Sequence, residues 1–166
     1  PGDRVGIWSP NRVEWCLTQF ATAKIGAVMV CINPAYRPYE LEYALNKVEC
    51  KAVISAESFK TSEYLKMLQA LAPELAECAP GELTSAKAPH LRSIVRMGTA
   101  KTQGMFNFDE VCSMGGATER ERMIQVAAAL QPDDAINIQF TSGTTGSPKG
   151  ATLSHFNILN NGHQVG

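Results

Sequence analysis

Positions 141–150 read Thr-Ser-Gly-Thr-Thr-Gly-Ser-Pro-Lys-Gly, ten residues with five hydroxyl side chains, three glycines, one proline and one lysine. These residue types suit an anion. Glycine lets the backbone turn through positive φ and approach a ligand closely. A bent run of such residues aims several N–H groups at one point. Thr141, Ser142, Thr144, Thr145 and Ser147 add hydroxyl donors, and Lys149 adds a positive charge. Charge-assisted hydrogen bonds contribute about 1.5–3 kcal/mol each, so a few of them hold a polyphosphate. Gly143 and Gly146 would supply the close backbone approach, and Pro148 would stiffen the turn.

Two familiar phosphate motifs do not fit. A Walker A loop needs Gly before its Lys and Ser or Thr after it, whereas Lys149 lies between Pro148 and Gly150. The dinucleotide fingerprint needs glycines two and then three apart, and here only the three-residue spacing of Gly143 and Gly146 occurs. A plain Ser/Gly linker is the remaining rival. It is disfavoured by an apolar strand before the loop, a helical pattern after it, and the closing Pro-Lys-Gly.

The elements around the loop set its frame. Residues 4–8 read as a strand closed by Ser9-Pro10-Asn11. From Arg12, Val13, Cys16, Leu17, Phe20 and Ala21 fall at helical spacing. Gly26 stands where a helix C-cap glycine belongs. Residues 28–32 form a fully apolar strand, expected when both faces of a sheet are covered. Pro38 suits the first turn of a helix striped by Leu41, Ala44, Leu45 and Val48. A strand at 52–55 follows, then a helix with Tyr64, Leu68, Leu71 and Ala72 on one face. Residues 73–89, rich in Pro, Ala and Glu, are the best linker candidate, and 91–97 the next strand. Residues 98–116 read as irregular, with a helical turn after Asp109. A helix at 119–130 with Met123, Val126, Ala127 and Leu130 inward leads through a turn to a strand at 135–140. Strands alternating with helices specify an α/β fold, a mostly parallel sheet flanked by helices. Ligands in such sheets bind beyond the carboxyl ends of strands.

The segment 141–150 resembles the signature loop of the adenylate-forming (AMP-binding) superfamily, which includes acyl-CoA synthetases, peptide-synthetase adenylation domains and luciferases. Most of the chain shares the likeness: residues 1–5 through Pro10-Asn11, 24–28 to Asn33-Pro34 with Glu40-Leu41, and 134–140 with 153–157 around the loop. The last blocks are most similar to fatty acyl-CoA synthetases, in particular their mitochondrial medium-chain branch. The resemblance implies that residues 1–166 are one lobe of the large N-terminal domain, with 141–150 as its phosphate-binding loop. It implies a reaction in two halves. A fatty acid carboxylate attacks the α-phosphate of MgATP to give acyl-adenylate and pyrophosphate, and coenzyme A then displaces AMP. Residues 141–149 would hold the β- and γ-phosphates. The same resemblance puts the magnesium-binding Glu, the ribose-binding Asp, the hinge and the catalytic Lys outside these residues. No catalytic residue and no metal ligand is therefore assigned here, and the isolated segment is expected to be inactive. The partners implied are ATP, Mg²⁺, fatty acid and coenzyme A, in the mitochondrial matrix or another reducing compartment. The alternatives are an adenylating enzyme with another carboxylate or acceptor, of the aryl-CoA or peptide-synthetase type, or a truncated non-catalytic module that binds nucleotide or a partner.

Composition excludes other classes. Of 166 residues 45% are hydrophobic and 19% charged, too apolar for a disordered chain. Fifteen Lys and Arg against 16 Asp and Glu leave a net charge of −1, without the basic excess of a nucleic-acid binder. The longest apolar run, 25–32, is far short of the roughly twenty residues a membrane helix needs. Five cysteines at irregular spacing match neither a disulfide framework nor a zinc site and read as reduced thiols, mostly in a core. Asp133-Asp134 after Pro132 read as turn residues, Ser154 as the N-cap of a helix starting at His155, and Arg37 as part of a surface turn. No pattern in the sequence sets an oligomeric state.

Overall fold

Short apolar runs become strands here because both faces of the sheet are covered. The computed structural model describes residues 1–141 and 148–165. Its strands are β1 (Arg4–Trp8), β2 (Val28–Cys31), β3 (Ala52–Ser55), β4 (Ser93–Arg96), β5 (Phe106–Asn107), β6 (Ala135–Thr141) and β7 (Lys149–Ser154). They form one sheet in the order β5-β4-β3-β1-β2-β6-β7. Every neighbouring pair is parallel except β6–β7, which is antiparallel.

The helices are α1 (Val13–Lys24), α2 (Pro38–Lys47), α3 (Tyr64–Leu71), α4 (Phe108–Ser113), α5 (Ala117–Ala129) and α6 (His155–Val165). The connection from β1 to β2 and the return to β6 move one way along the sheet, and those from β2 to β3 and β3 to β4 move the other way. Right-handed crossovers then place α1 with α5 on one face and α2 with α3 on the other, and those two helix pairs are in contact. The predicted faces of α2 and α3 are the observed ones: Leu41, Ala44, Leu45, Tyr64, Leu68, Leu71 and Ala72 are all buried. Gly26 ends α1 at φ +67°, a backbone conformation that favours glycine.

Four expectations need correction. The stripe Val13, Cys16, Leu17, Phe20 and Ala21 on α1 is exposed, Phe20 by 68%. The sheet-facing side carries Thr18 and Thr22 instead. Their hydroxyls donate to Glu14 O (2.7 Å) and Thr18 O (2.8 Å), so a buried threonine leaves no unmet donor. Met123 and Val126 on α5 and Leu130 just after it are half-buried and Ala127 is exposed, so none joins the central core. Residues 73–89 are no linker: Leu75, Leu83 and Ala88 are each 1% exposed. The segment packs as an irregular layer opened by a 3-10 turn at Pro73–Ala76, and its irregular leucine spacing hides that role from periodicity. The strand β5 and helix α4 fill part of the region read as irregular.

The cysteines also divide differently. Only Cys50 is buried; Cys31 and Cys78 are intermediate, Cys16 and Cys112 are exposed, and all five are free thiols. Burial pushes the Cys50 thiol up to about 12. The thiolate is the nucleophile, so Cys50 in native protein is expected to resist iodoacetamide at pH 8 and to react only in urea, as read by peptide mass spectrometry. Modification of Cys50 at the same rate in both conditions would show that its cover opens freely.

Candidate nucleotide-binding site

The loop leaves the sheet at the carboxyl end of β6. Along that strand Ile136, Asn137 and Ile138 are buried, while Gln139 and Thr141 are exposed. The chain therefore climbs from core to rim over seven residues. It returns as β7, with Thr141 paired to Lys149 and Phe140 to Gly150. The Thr141 hydroxyl also donates to Lys149 O at 3.4 Å. Thus the first and ninth residues of the motif stand side by side at the carboxyl end of β6. Ser142, Gly143, Thr144, Thr145, Gly146 and Ser147 lie outside the described residues. Of the predicted donors, Thr141 and Lys149 are described, both exposed, and Pro148 is half-buried. No salt bridge to Lys149 forms among the described residues.

The strand β7 is an addition to the sequence reading. There the loop lay between a strand and a helix; here a second strand intervenes, and α6 starts directly after it. The capping expectation at Ser154 holds. Ser154 Oγ accepts from the Asn157 amide at 3.3 Å, and Asn157 Oδ1 accepts from the Ser154 amide at 3.0 Å, a reciprocal pair at a helix start. Asp134 behaves as a turn residue, its carboxylate accepting from the Gln131 amide at 2.7 Å.

A platform sequence reasoning missed lies beside the loop. The Tyr36 ring stands edge-on to Phe140, centroids 6.4 Å apart. From α2, the Tyr43 hydroxyl donates to Pro148 O at 3.3 Å. The partners are 105 positions apart, so no local pattern announces the contact. Arg37 stays structural: it precedes α2 and its guanidinium donates to Ser62 Oγ at 3.1 Å.

Other candidates at the sheet edges are already used or lie elsewhere. Arg96, buried at the carboxyl end of β4, pairs with Glu57 and donates to Thr102 Oγ1 at 2.8 Å. An apolar hollow of about 570 Å³ is lined by Phe20, Leu130, Pro132, His155, Phe156 and Leu159. It adjoins the amino end of β6, whereas the loop leaves the other end, roughly 20 Å away along the strand. His155 lines that hollow rather than the loop. No group of three or more His, Cys, Asp or Glu suited to a metal occurs among the described residues, and no helix there is long and apolar enough to cross a membrane.

Comparison with known proteins covers the whole chain. The profile of the AMP-binding enzyme family matches residues 1–166. The chain is 46% identical over 166 residues to the mitochondrial medium-chain acyl-CoA ligase ACSF2 of Homo sapiens, covering 99% of this chain and 27% of that protein. To the protein of the same name from Danio rerio it is 45% identical over 165 residues, with the same shares. The chain thus spans about a quarter of the length of these relatives. Among solved structures, acetoacetyl-CoA synthetase from Streptomyces lividans has the same fold with a TM-score of 0.74, at 20% identity, covering 97% of this chain and 23% of that one.

Proposed function

The chain belongs to the AMP-binding enzyme family, and from that premise we propose that it is part of an ATP-dependent acid–thiol ligase acting on medium-chain fatty acids. In the proposed reaction a carboxylate oxygen attacks the α-phosphorus of ATP and pyrophosphate leaves. The thiol of coenzyme A then takes the acyl group and AMP leaves. The chain's own part is to receive the β- and γ-phosphates on residues 141–149. Charge accumulates on pyrophosphate as its bond breaks, so fixed donors at that position favour the transition state over the bound substrate. The carrying observation is the rim: Thr141 and Lys149 are paired at the carboxyl end of β6, both exposed, with the hydroxyl- and glycine-rich connection between them. That donor set fits a polyphosphate. Mg²⁺ would sit on the phosphates and on carboxylates elsewhere in the longer protein, as such ions usually do. The medium-chain substrate and a mitochondrial location are supported by the names of the 45–46% identical relatives.

The test is ATP–pyrophosphate exchange by the full-length protein with carboxylates of graded length, with benzoate-type acids and with amino acids. The highest rate is expected with medium-chain fatty acids, followed by thioester formation with coenzyme A. A preference for aromatic or amino acids would move the chain to the aryl-CoA or peptide-synthetase type. Absence of exchange with every acid would leave a nucleotide-binding module. Residues 1–166 alone, about a quarter of such a ligase, are expected to give no exchange.

A further inference from the structure

We propose that Tyr43 is a positioning residue for the nucleotide-binding loop, fixing through its hydroxyl the backbone from which Lys149 projects. This rests on the reading of residues 141–149 as the phosphate-binding segment. The segment from Tyr36 to Val48 lies against the β6–β7 pair at successive places. Tyr36 meets the Phe140 ring, and Tyr43 holds Pro148 O. At Gly150 an added Cβ would stand 3.1 Å from Ile138 Cγ2 and 3.9 Å from Val48 Cγ1, so β7 rests close on the end of α2. The helix that makes this platform is itself held firmly, with Leu41, Ala44 and Leu45 buried in the core.

The anchored atom matters because of covalent geometry. Pro148 has no N–H, so its carbonyl is the one backbone group with which it can hydrogen-bond. A peptide unit is planar, and the carbonyl of Pro148 shares its plane with the amide and Cα of Lys149. Holding that oxygen therefore helps place the Cα of Lys149, and the pairing of Lys149 with Thr141 in the ladder then orients its side chain. The hydrogen bond lies outside the β6–β7 ladder, whose last pair is Thr141 with Lys149. Without it, Lys149 keeps its pairing with Thr141 but the peptide that leads into it from Pro148 is unanchored. A phosphate would then have to order that peptide on arrival, which weakens binding of ATP and pyrophosphate while leaving the acyl half of the reaction alone.

The experiment is steady-state ATP–pyrophosphate exchange by the full-length protein, comparing wild type, Tyr43→Phe, Tyr39→Phe and Lys149→Ala. Removal of one neutral hydrogen bond predicts a rise of about two- to tenfold in KM for ATP in Tyr43→Phe. KM for the fatty acid should stay at its wild-type value, and the urea midpoint should fall only slightly, as the loss of one partly buried neutral hydrogen bond requires. Tyr39, 80% exposed on the same helix, serves as the control and should change nothing. A merely structural role would lower the midpoint further and move both KM values together, and that result overturns the proposal. If Lys149→Ala lowers kcat/KM for ATP and Tyr43→Phe changes neither KM nor kcat/KM for ATP, the positioning role falls while the phosphate reading stands. If neither variant changes kcat/KM for ATP, both fall.

Discussion

Lys149→Ala in the full-length protein is expected to lower kcat/KM for ATP in pyrophosphate exchange by about ten- to a hundredfold. The estimate follows from one charge-assisted hydrogen bond of about 1.5–3 kcal/mol, at about 1.4 kcal/mol per factor of ten. Lys149 is exposed at the rim and forms no ion pair among the described residues, so its ammonium is not committed to a neighbouring carboxylate. How the loss divides is informative. A loss confined to KM means that Lys149 holds ATP and the transition state equally, whereas a loss in kcat means that it meets charge developing on the leaving pyrophosphate. The second is expected, because the β- and γ-phosphates gain charge only as the bond to the α-phosphorus breaks. Lys149→Arg should recover part of the activity, since it keeps the charge but presents a planar fork in place of a compact ammonium. Raising the salt concentration should shrink the wild-type advantage, as screening reaches an exposed charge. Wild-type exchange rates in Lys149→Ala would remove lysine from the phosphate site and with it the main electrostatic contribution of this segment.

Much of the sheet was legible because parallel strands covered on both faces are short apolar runs separated by helical periods. The runs at 4–8, 28–32 and 52–55 sit within one residue of β1, β2 and β3, and the stripes of α2 and α3 match their buried faces. The reading failed where an element takes its state from a partner. The strand β7, Lys-Gly-Ala-Thr-Leu-Ser, has one large apolar residue and a glycine, and it is extended because β6 offers a ladder. On α1 the apolar stripe suggested the sheet-facing side, but self-satisfied threonines can occupy that side as well. Residues 73–89 resemble a linker by composition, yet three well-separated buried apolar side chains, with the buried Ser85 between them, are enough to pack them. At the site, the motif itself was visible in one dimension. Its seat was not, since Tyr43 and Pro148 meet only through the order of strands β2, β6 and β7.

Trp8→Ala is expected to destabilise the protein by about 3–5 kcal/mol, a large part of the 5–15 kcal/mol that holds a typical domain folded. Trp8 and Tyr64 are both fully buried and stacked, with ring centroids 3.8 Å apart and planes 17° from parallel. Truncation removes the ring and opens a cavity that the sheet on one side and α3 on the other cannot close. The polar tips of the two rings carry a second duty. Trp8 Nε1 donates to Asn33 O at 3.1 Å, and the Tyr64 hydroxyl donates to Pro34 O at 2.6 Å. Two consecutive carbonyls between β2 and α2 are thus pinned from the core, and the chain that follows carries Tyr36 and Tyr43 to the loop. Tyr64→Phe keeps its ring and loses one hydrogen bond, at about 1 kcal/mol, whereas Trp8→Phe loses its hydrogen bond and also part of the buried bicyclic ring, so it costs more. Urea midpoints should fall furthest for Trp8→Ala, less for Trp8→Phe and least for Tyr64→Phe. The phenylalanine variants should also show a modest rise in KM for ATP, passed on through the start of α2. A Trp8→Ala cost below about 1 kcal/mol would mean that the stack is not what holds the sheet to α3. An unchanged KM in both phenylalanine variants would separate the core from the site, leaving α2 to be positioned by Leu41, Ala44 and Leu45 alone.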